Sequence, residues 1–435
     1  MLAADVVQVL PVNDFHLNAP RAKGSGLFQN LFGRRRSGSP DNALEVTYGG
    51  TWTDLDNNAV ASLGGGILSS YSGPSRGVAE LDVCENMFTC LMENYKSYSY
   101  GISLSLYEKA PRSSPRLSRS SDSCSSSDSS FSSRKPPLVG DPVADVFGVI
   151  ARKNSAILAL ADGVSWGPKP KLAAMCAVYA SLQHLNTNIS SITNTHMAFS
   201  LLWESFQRAH ALIMDKNATL TTLSAAFVCE LQNTNQWGLC VVGLGDSPVF
   251  VYSPSSKKLV EVTIGCHPKS DRDISDCGGV LGPGNGAQPD YANLTFATTT
   301  VSPGDYVFIV SDGIADNFHP GIISPIFSNE RKMKLVPAQE QVINNMKKEI
   351  AWLENSTPDF TAQDLCACLM NFSVRMTESK RTLRESIYAS GQDFRELPYA
   401  NPDLHRQLNT CSGKLDHASI VAYQVGNHRP DDFIL

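Results

Sequence analysis

What this 435-residue chain lacks narrows it first. It has no C-x-x-C pair. Its eleven cysteines are scattered, with Cys366 and Cys368 the closest two, so zinc-ligand spacing is missing. That pattern predicts reduced thiols in a cytosolic or nuclear protein. Near the start, Asp5 follows a short apolar patch and nothing resembles a cleavage region, which argues against a signal peptide and secretion. No apolar run reaches the length of a membrane span, so no membrane partner is expected. A net charge of -6 gives no basic excess, and nucleic acid is not an expected partner. No internal repeat, Walker loop or Ser-His-Asp elbow is present.

What is there begins with Ala156-Ile-Leu-Ala-Leu-Ala-Asp162-Gly163. Six small or apolar residues predict a buried strand, ended by Asp-Gly. One such pair is an ordinary turn. The pattern recurs, however, at Val307-Phe-Ile-Val-Ser-Asp312-Gly313. A third carboxylate, Asp416, opens the run from Ala418 to Tyr423. Carboxylates at the ends of separate buried strands meet where those ends share one sheet edge. An all-oxygen cluster of this kind suits Mg²⁺ or Mn²⁺.

Taken in order, residues 1–108 predict an N-terminal extension, partly ordered at most, with a basic cluster at Arg34-Arg-Arg and a strand pattern from Tyr95 to Tyr107. Leu81 to Met92 has amphipathic helical spacing. Residues 109–137 are nearly all serine with charges and prolines, too polar to offset chain entropy by burial, and predict a disordered linker. Its serines beside Arg116, Arg119, Asp122 and Asp128 make a candidate phosphorylated stretch. A folded domain is expected over 138–428, with 429–435 as a tail. Within it, strands are predicted around 146–150, 156–161, 223–231, 237–244, 249–252, 257–263, 294–300, 306–310 and 418–425. Helices are predicted from Leu172, from Leu202, over 339–353 and over 362–376, where apolar residues recur at helical spacing. Residues 264–290 read as a long surface loop, 380–412 as polar and irregular, and 320–412 as a helical insertion. The sum is an α+β layered fold.

In this order the motifs resemble the type 2C, metal-dependent protein serine/threonine phosphatases. Ala159-Leu-Ala-Asp162-Gly163, Gly243-Leu-Gly-Asp246-Ser247, Pro303-Gly-Asp305 through Asp312-Gly313-Ile-Ala-Asp316, and Gly413-Lys414-Leu-Asp416-His417 are similar to four of that family's motifs. They span residues ~140–426, and within the family the chain looks closest to poorly characterised animal type 2C phosphatase-like proteins. The resemblance implies a sandwich of two antiparallel sheets flanked by helices. It implies that Asp162 bridges two Mn²⁺ or Mg²⁺ ions. Asp312 and Asp416 would complete one ion's site, and the Gly163 carbonyl would serve the other. A water activated between the ions would then attack phosphorus in a phosphoserine or phosphothreonine of a protein substrate.

The chain also departs from that pattern. Where the family has an acidic ligand followed by Asp, this chain has Ala144-Asp145; Asp145 keeps the second carboxylate and counts as a candidate metal-site residue. Gly140-Asp141-Pro142 stands where the family carries its phosphate-binding Arg, and Val164 stands where many members carry a His. No Arg-Ala-Phe-Gly-Asp signature occurs in 264–290. Two functions follow: a metal-dependent phosphatase, or a pseudophosphatase that keeps the fold and acts as a binding or scaffold module.

Overall fold

The computed structural model describes residues 35–36, 45–49, 51–63, 66–74, 77–81, 97–107, 140–263, 276–324, 338–392, 394 and 396–429. The strands are β1 (Arg35–Arg36), β2 (Glu45–Gly49), β3 (Ile67–Gly73), β4 (Ser99–Ser105), β5 (Val146–Arg152), β6 (Ser155–Ala161), β7 (Leu223–Glu230), β8 (Trp237–Leu244), β9 (Val249–Ser253), β10 (Lys258–Glu261), β11 (Val280–Asn285), β12 (Gln288–Asp290), β13 (Thr295–Val301), β14 (Tyr306–Val310) and β15 (His417–Gln424). The helices are α1 (Pro168–Thr187), α2 (Thr195–Asp215), α3 (Asp312–Ala315), α4 (Pro320–Ile323), α5 (Ala338–Ser356), α6 (Ala362–Ala389), α7 (Leu397–Ala400) and α8 (Pro402–Thr410).

Eight strands form one sheet in the order β1-β2-β13-β8-β7-β6-β5-β3, and five form a second in the order β10-β9-β14-β15-β4. Every paired neighbour is antiparallel. The sheets face each other and helices cover both outer faces, as the layered reading anticipated. The alternation of side chains along a strand explains why the central strands are apolar throughout. In β6, Leu158 and Leu160 enter the layer between the sheets, while Ile157 and Ala159 pack under α1 and α2. In β14, Val307 and Ile309 face the same inner layer, and Phe308 and Val310 face α5 and α6. With both faces covered, each such Leu, Ile, Val or Phe side chain contributes about 1.5–3 kcal/mol of burial.

The N-terminal segment is more integral than an extension. β2 pairs with β13, and β3 pairs with β5 through Ser70 opposite Ile150. β4 pairs with β15 through Ile102 opposite Ile420. β3 and β4 thus each supply an edge strand, one to each sheet, and β2 lies next to the edge strand β1. Their sequences, rich in Ser and Gly, hide this because small residues are needed there. A Cβ on Gly101 would lie 2.2 Å from the Phe147 ring, and one on Gly73 would lie 2.5 Å from it.

Other differences have similar causes. α6 runs on to Ala389, well past 376, because polar side chains extend its packed face: Arg381 is buried and donates to the Leu106 carbonyl at 3.3 Å. Arg384 lies over the Tyr107 and Phe394 rings at 5.0 and 4.9 Å. The stretch after it holds the short helices α7 and α8 rather than irregular chain. Part of the expected 264–290 loop is the hairpin β11–β12. The serine-rich linker, the 81–92 helix beyond Leu81, the basic cluster apart from Arg35–Arg36, and the tail beyond Arg429 lie outside the described residues.

Candidate functional site

The ends of β6, β8 and β14 and the start of β15 meet at one rim of the sandwich. They surround a cleft of about 250 Å³. Asp162, Asp246, Asp312 and Asp416 line it, with Gly163, Val164, Trp166, Lys414 and His417. The three carboxylates singled out from sequence, Asp162, Asp312 and Asp416, therefore share one site. Asp145 is fully buried and is not among the lining residues.

Local hydrogen bonds fix each position. The Asp162 N–H donates to Thr222 Oγ1 at 3.1 Å, and its carbonyl accepts from the Thr222 N–H at 2.8 Å and the Thr221 hydroxyl at 2.8 Å. Gly163 passes so close to α1 that a Cβ there would be 2.5 Å from the Pro170 carbonyl oxygen. Asp312 opens α3, and its neighbour Ser311 is tied to β15. The Ser311 N–H donates to the Ser419 carbonyl and the Ser419 N–H to Ser311 Oγ, each at 2.9 Å. The carbonyl of Asp416 accepts from the Leu106 N–H at 2.8 Å. One ring nitrogen of His417 donates to the Gly140 carbonyl at 2.6 Å, and the other accepts from the Ala144 N–H at 3.2 Å. Where the family motif has Asp or Asn, this histidine joins β15 to the chain leading into β5.

Lys414 occupies the centre of the acidic cluster. Its ammonium stands 2.5 Å from Asp312 Oδ2, 2.8 Å from Asp316 Oδ2 and 3.2 Å from Asp416 Oδ2. An ammonium has three N–H donors, and three carboxylates surround this one. Burial alone would pull the Lys414 pKa down; Asp312, Asp316 and Asp416 more than offset it and raise it, so the side chain stays charged. The carboxylates show the opposite strain. Asp162 is held well above the usual carboxylate range by burial, then by Asp145, Asp312, Asp416 and Asp246. Asp416 is pushed up to about 7 by burial and Asp312, against the pull of Lys414. Burial likewise raises Asp145, against the pull of His417 and Ser311. One positive charge among so many carboxylates leaves the cleft acidic.

Several of these residues have no role that the sequence alone assigns. Lys414, Asp246 and Asp316 lie within the family-like motifs, yet nothing in the motifs by themselves gives them a partner. The signal for Asp316 was its spacing four residues after Asp312, which puts both on one helical face. Arg152 plays no part here; its guanidinium donates to Asn186 Oδ1 at 2.6 Å, at the far end of β5.

An acid-lined cleft at the rim of a four-layer α/β/β/α sandwich defines the class. A relative places it further. Over 240 residues the chain is 35% identical to the PP2C-like domain-containing protein CG9801 of Drosophila melanogaster, and the match covers 53% of this chain and 31% of that protein. The chain thus spans about a third of the length of this curated relative. The motif-level resemblance to the type 2C phosphatases is borne out by this relationship. No protein-family model matches the chain. Among solved structures, similarity extends to the phosphatase domain of SpoIIE from Bacillus subtilis, at 14% identity and TM-score 0.32, covering 67% of this chain and 89% of that one. It also extends to a bacterial serine phosphatase at 12% identity and TM-score 0.37, covering 66% and 94%. RsbX in complex with magnesium matches at 14% identity and TM-score 0.32, covering 65% and 87%.

The residues present do not fit the family's two ions. Asp312 and Asp416, expected to complete one site, are paired with Lys414. Ala144, in place of the second ion's carboxylate ligand, presents a fully buried methyl group. Among the described residues no group of three or more His, Cys, Asp or Glu side chains is disposed to hold a metal ion.

Proposed function

We propose that this chain carries a type 2C-like domain without metal-dependent hydrolysis, a pseudophosphatase that serves as a binding module for a protein partner. The observation that supports this reading is the state of Lys414. It is the one lysine or arginine among the described residues lining the cleft; its ammonium donates to Asp312 and Asp316 and lies 3.2 Å from Asp416 Oδ2. Among the described residues, a phosphate dianion entering here meets carboxylates and a lysine already paired with them. In hydrolysis of a phosphoester, the charge that builds on the phosphoryl oxygens has to be neutralised, and losing one such contact commonly costs several kcal/mol of barrier.

The test is turnover of a phosphoserine or phosphothreonine peptide by the full chain in Mn²⁺ or Mg²⁺, with Asp312→Asn alongside. Release of phosphate no faster than with Asp312→Asn is the expected result. Metal-dependent release that Asp312→Asn abolishes would restore the phosphatase reading, in which Asp162, Asp312 and Asp416 act through a metal-bound water. No helix among the described residues is long and apolar enough to cross a membrane. A cytoplasmic or nuclear location is proposed on that and on the scattered cysteines.

A further inference from the structure

We propose that Lys414 is a built-in counter-ion: its ammonium stands in for a divalent cation, holds the rim of the cleft together without metal, and masks a latent metal site. This deepens the preceding reading and shares with it the position of one side chain.

The backbone around Lys414 is built to deliver that side chain inward. Gly413 sits at φ +91, a left-handed conformation that glycine adopts at little cost. A Cβ there would come within 2.6 Å of the Met376 carbonyl oxygen on α6. The Gly413 N–H donates to the Ile322 carbonyl at 3.1 Å, and its own carbonyl accepts from Lys380 Nζ at 2.7 Å. On the next peptide, the buried Asn317 side chain accepts from the Lys414 N–H at 2.9 Å and donates to the Lys414 carbonyl at 3.0 Å and the Gly313 carbonyl at 2.7 Å. Both ends of the lysine are therefore fixed before its four-carbon stem begins. That stem leads to a side chain 22% exposed, among carboxylates that are 14%, 5% and 26% exposed.

The three carboxylates come from two segments: Asp312 and Asp316 from the one after β14, Asp416 from the approach to β15. Without a cation between them they repel one another in a partly desolvated site. A tethered ammonium supplies that charge within the chain itself. Its reach is the same as that of a cation bound by Asp312 and Asp416, so the two exclude each other. Asp162 and Asp246 line the same cleft, so an ion admitted after loss of Lys414 would find further carboxylates beside Asp312 and Asp416.

The measurement is Mn²⁺ binding by calorimetry, together with the melting temperature in Mn²⁺ or EDTA, on the full chain. Wild type is expected to bind no Mn²⁺ at about 1 mM and to melt at the same temperature in both conditions. Lys414→Met keeps the apolar stem and removes the charge. It is expected to melt lower in EDTA, to recover in Mn²⁺, and to bind the ion roughly 100-fold more tightly than wild type or better, since it leaves uncompensated carboxylates that the ion relieves. Lys414→Arg keeps the charge and is expected to stay insensitive to Mn²⁺. Wild type that binds Mn²⁺ in the micromolar range would overturn the inference. So would Lys414→Met that stays unfolded in Mn²⁺ or gains no affinity. The phosphopeptide assay separates the two proposals. Turnover by wild type without added metal would defeat the non-hydrolytic reading and leave the counter-ion in place. Mn²⁺ binding without turnover would do the reverse.

Discussion

Replacing Gly313 by alanine probes the contact that brings Asp312 against β15. A Cβ at this position would lie 1.8 Å from the His417 carbonyl oxygen, 2.7 Å from its carbonyl carbon and 3.1 Å from the Ala418 Cα. Real Cβ contacts essentially never fall below 3.0 Å, so α3 and the start of β15 would have to separate by at least 1.2 Å. All three obstructing atoms are backbone, and no rotamer change relieves them. Overpacking of this kind costs ~1–3 kcal/mol, and a backbone obstacle puts it at the upper end. The same displacement stretches the two 2.9 Å bonds between Ser311 and Ser419 and the 2.7 Å bond from Asn317 to the Gly313 carbonyl. At about 1 kcal/mol net for each such bond, partial loss brings the total to about 4 kcal/mol. For a domain of this size that lowers the melting temperature by roughly 10 °C. The assay is urea and thermal unfolding of the full chain followed by tryptophan fluorescence. Gly66→Ala serves as control, since a Cβ there meets nothing within 4 Å. Gly66→Ala is expected to change stability by less than about 0.5 kcal/mol. A Gly313→Ala loss below about 1 kcal/mol would refute the account of the rim as a rigid, close-packed junction.

Three further outcomes are expected. Asn317→Ala strips the Lys414 N–H and the Lys414 and Gly313 carbonyls of their partner in a buried setting; a loss of about 3 kcal/mol in urea unfolding is expected, and a neutral result would count against the anchoring of Lys414. Gly101→Ala drives a Cβ into the Phe147 ring and is expected to cost about 1–3 kcal/mol, partly recovered in the double variant with Phe147→Leu; additive losses would mean that β4 and β5 do not pack as described. Stability also carries a pH signature. Burial, reinforced by Arg208, lowers the His184 pKa from its ordinary 6.5, against the pull of Glu204 at 3.0 Å. Below pH 6.5 the unfolded chain takes up the proton before the folded one, so this stability is complete above that pH and declines as pH falls through it. Urea midpoints measured on both sides of 6.5 check the sign, and His184→Gln is expected to flatten the difference.

The sequence by itself determined the layers and the address of the site. Runs such as Ala156–Ala161 and Val307–Val310 are apolar at every position because both faces of their strands are covered, and an Asp at the end of such a run has only the sheet's rim to occupy. Length and pattern therefore located Asp162, Asp312 and Asp416 without any knowledge of contacts. The edge strands of residues 45–105 were hard to see in the sequence, since Gly101 and Gly73 are small to make room for Phe147, a residue more than forty positions away. The continuation of α6 was equally hidden, because Arg381 and Arg384 bury polar side chains against partners that only the folded chain supplies. Lys414 is the decisive case. In the sequence it is one motif residue beside an aspartate, and a lysine side chain is long enough to reach solvent, a phosphate or a carboxylate. Which of these it meets is set by Asn317 and Gly413 locking its backbone and by Asp312 and Asp316 arriving from a different strand end. Charges act across space rather than along the chain, so the ammonium among those carboxylates was a decision only the tertiary structure made.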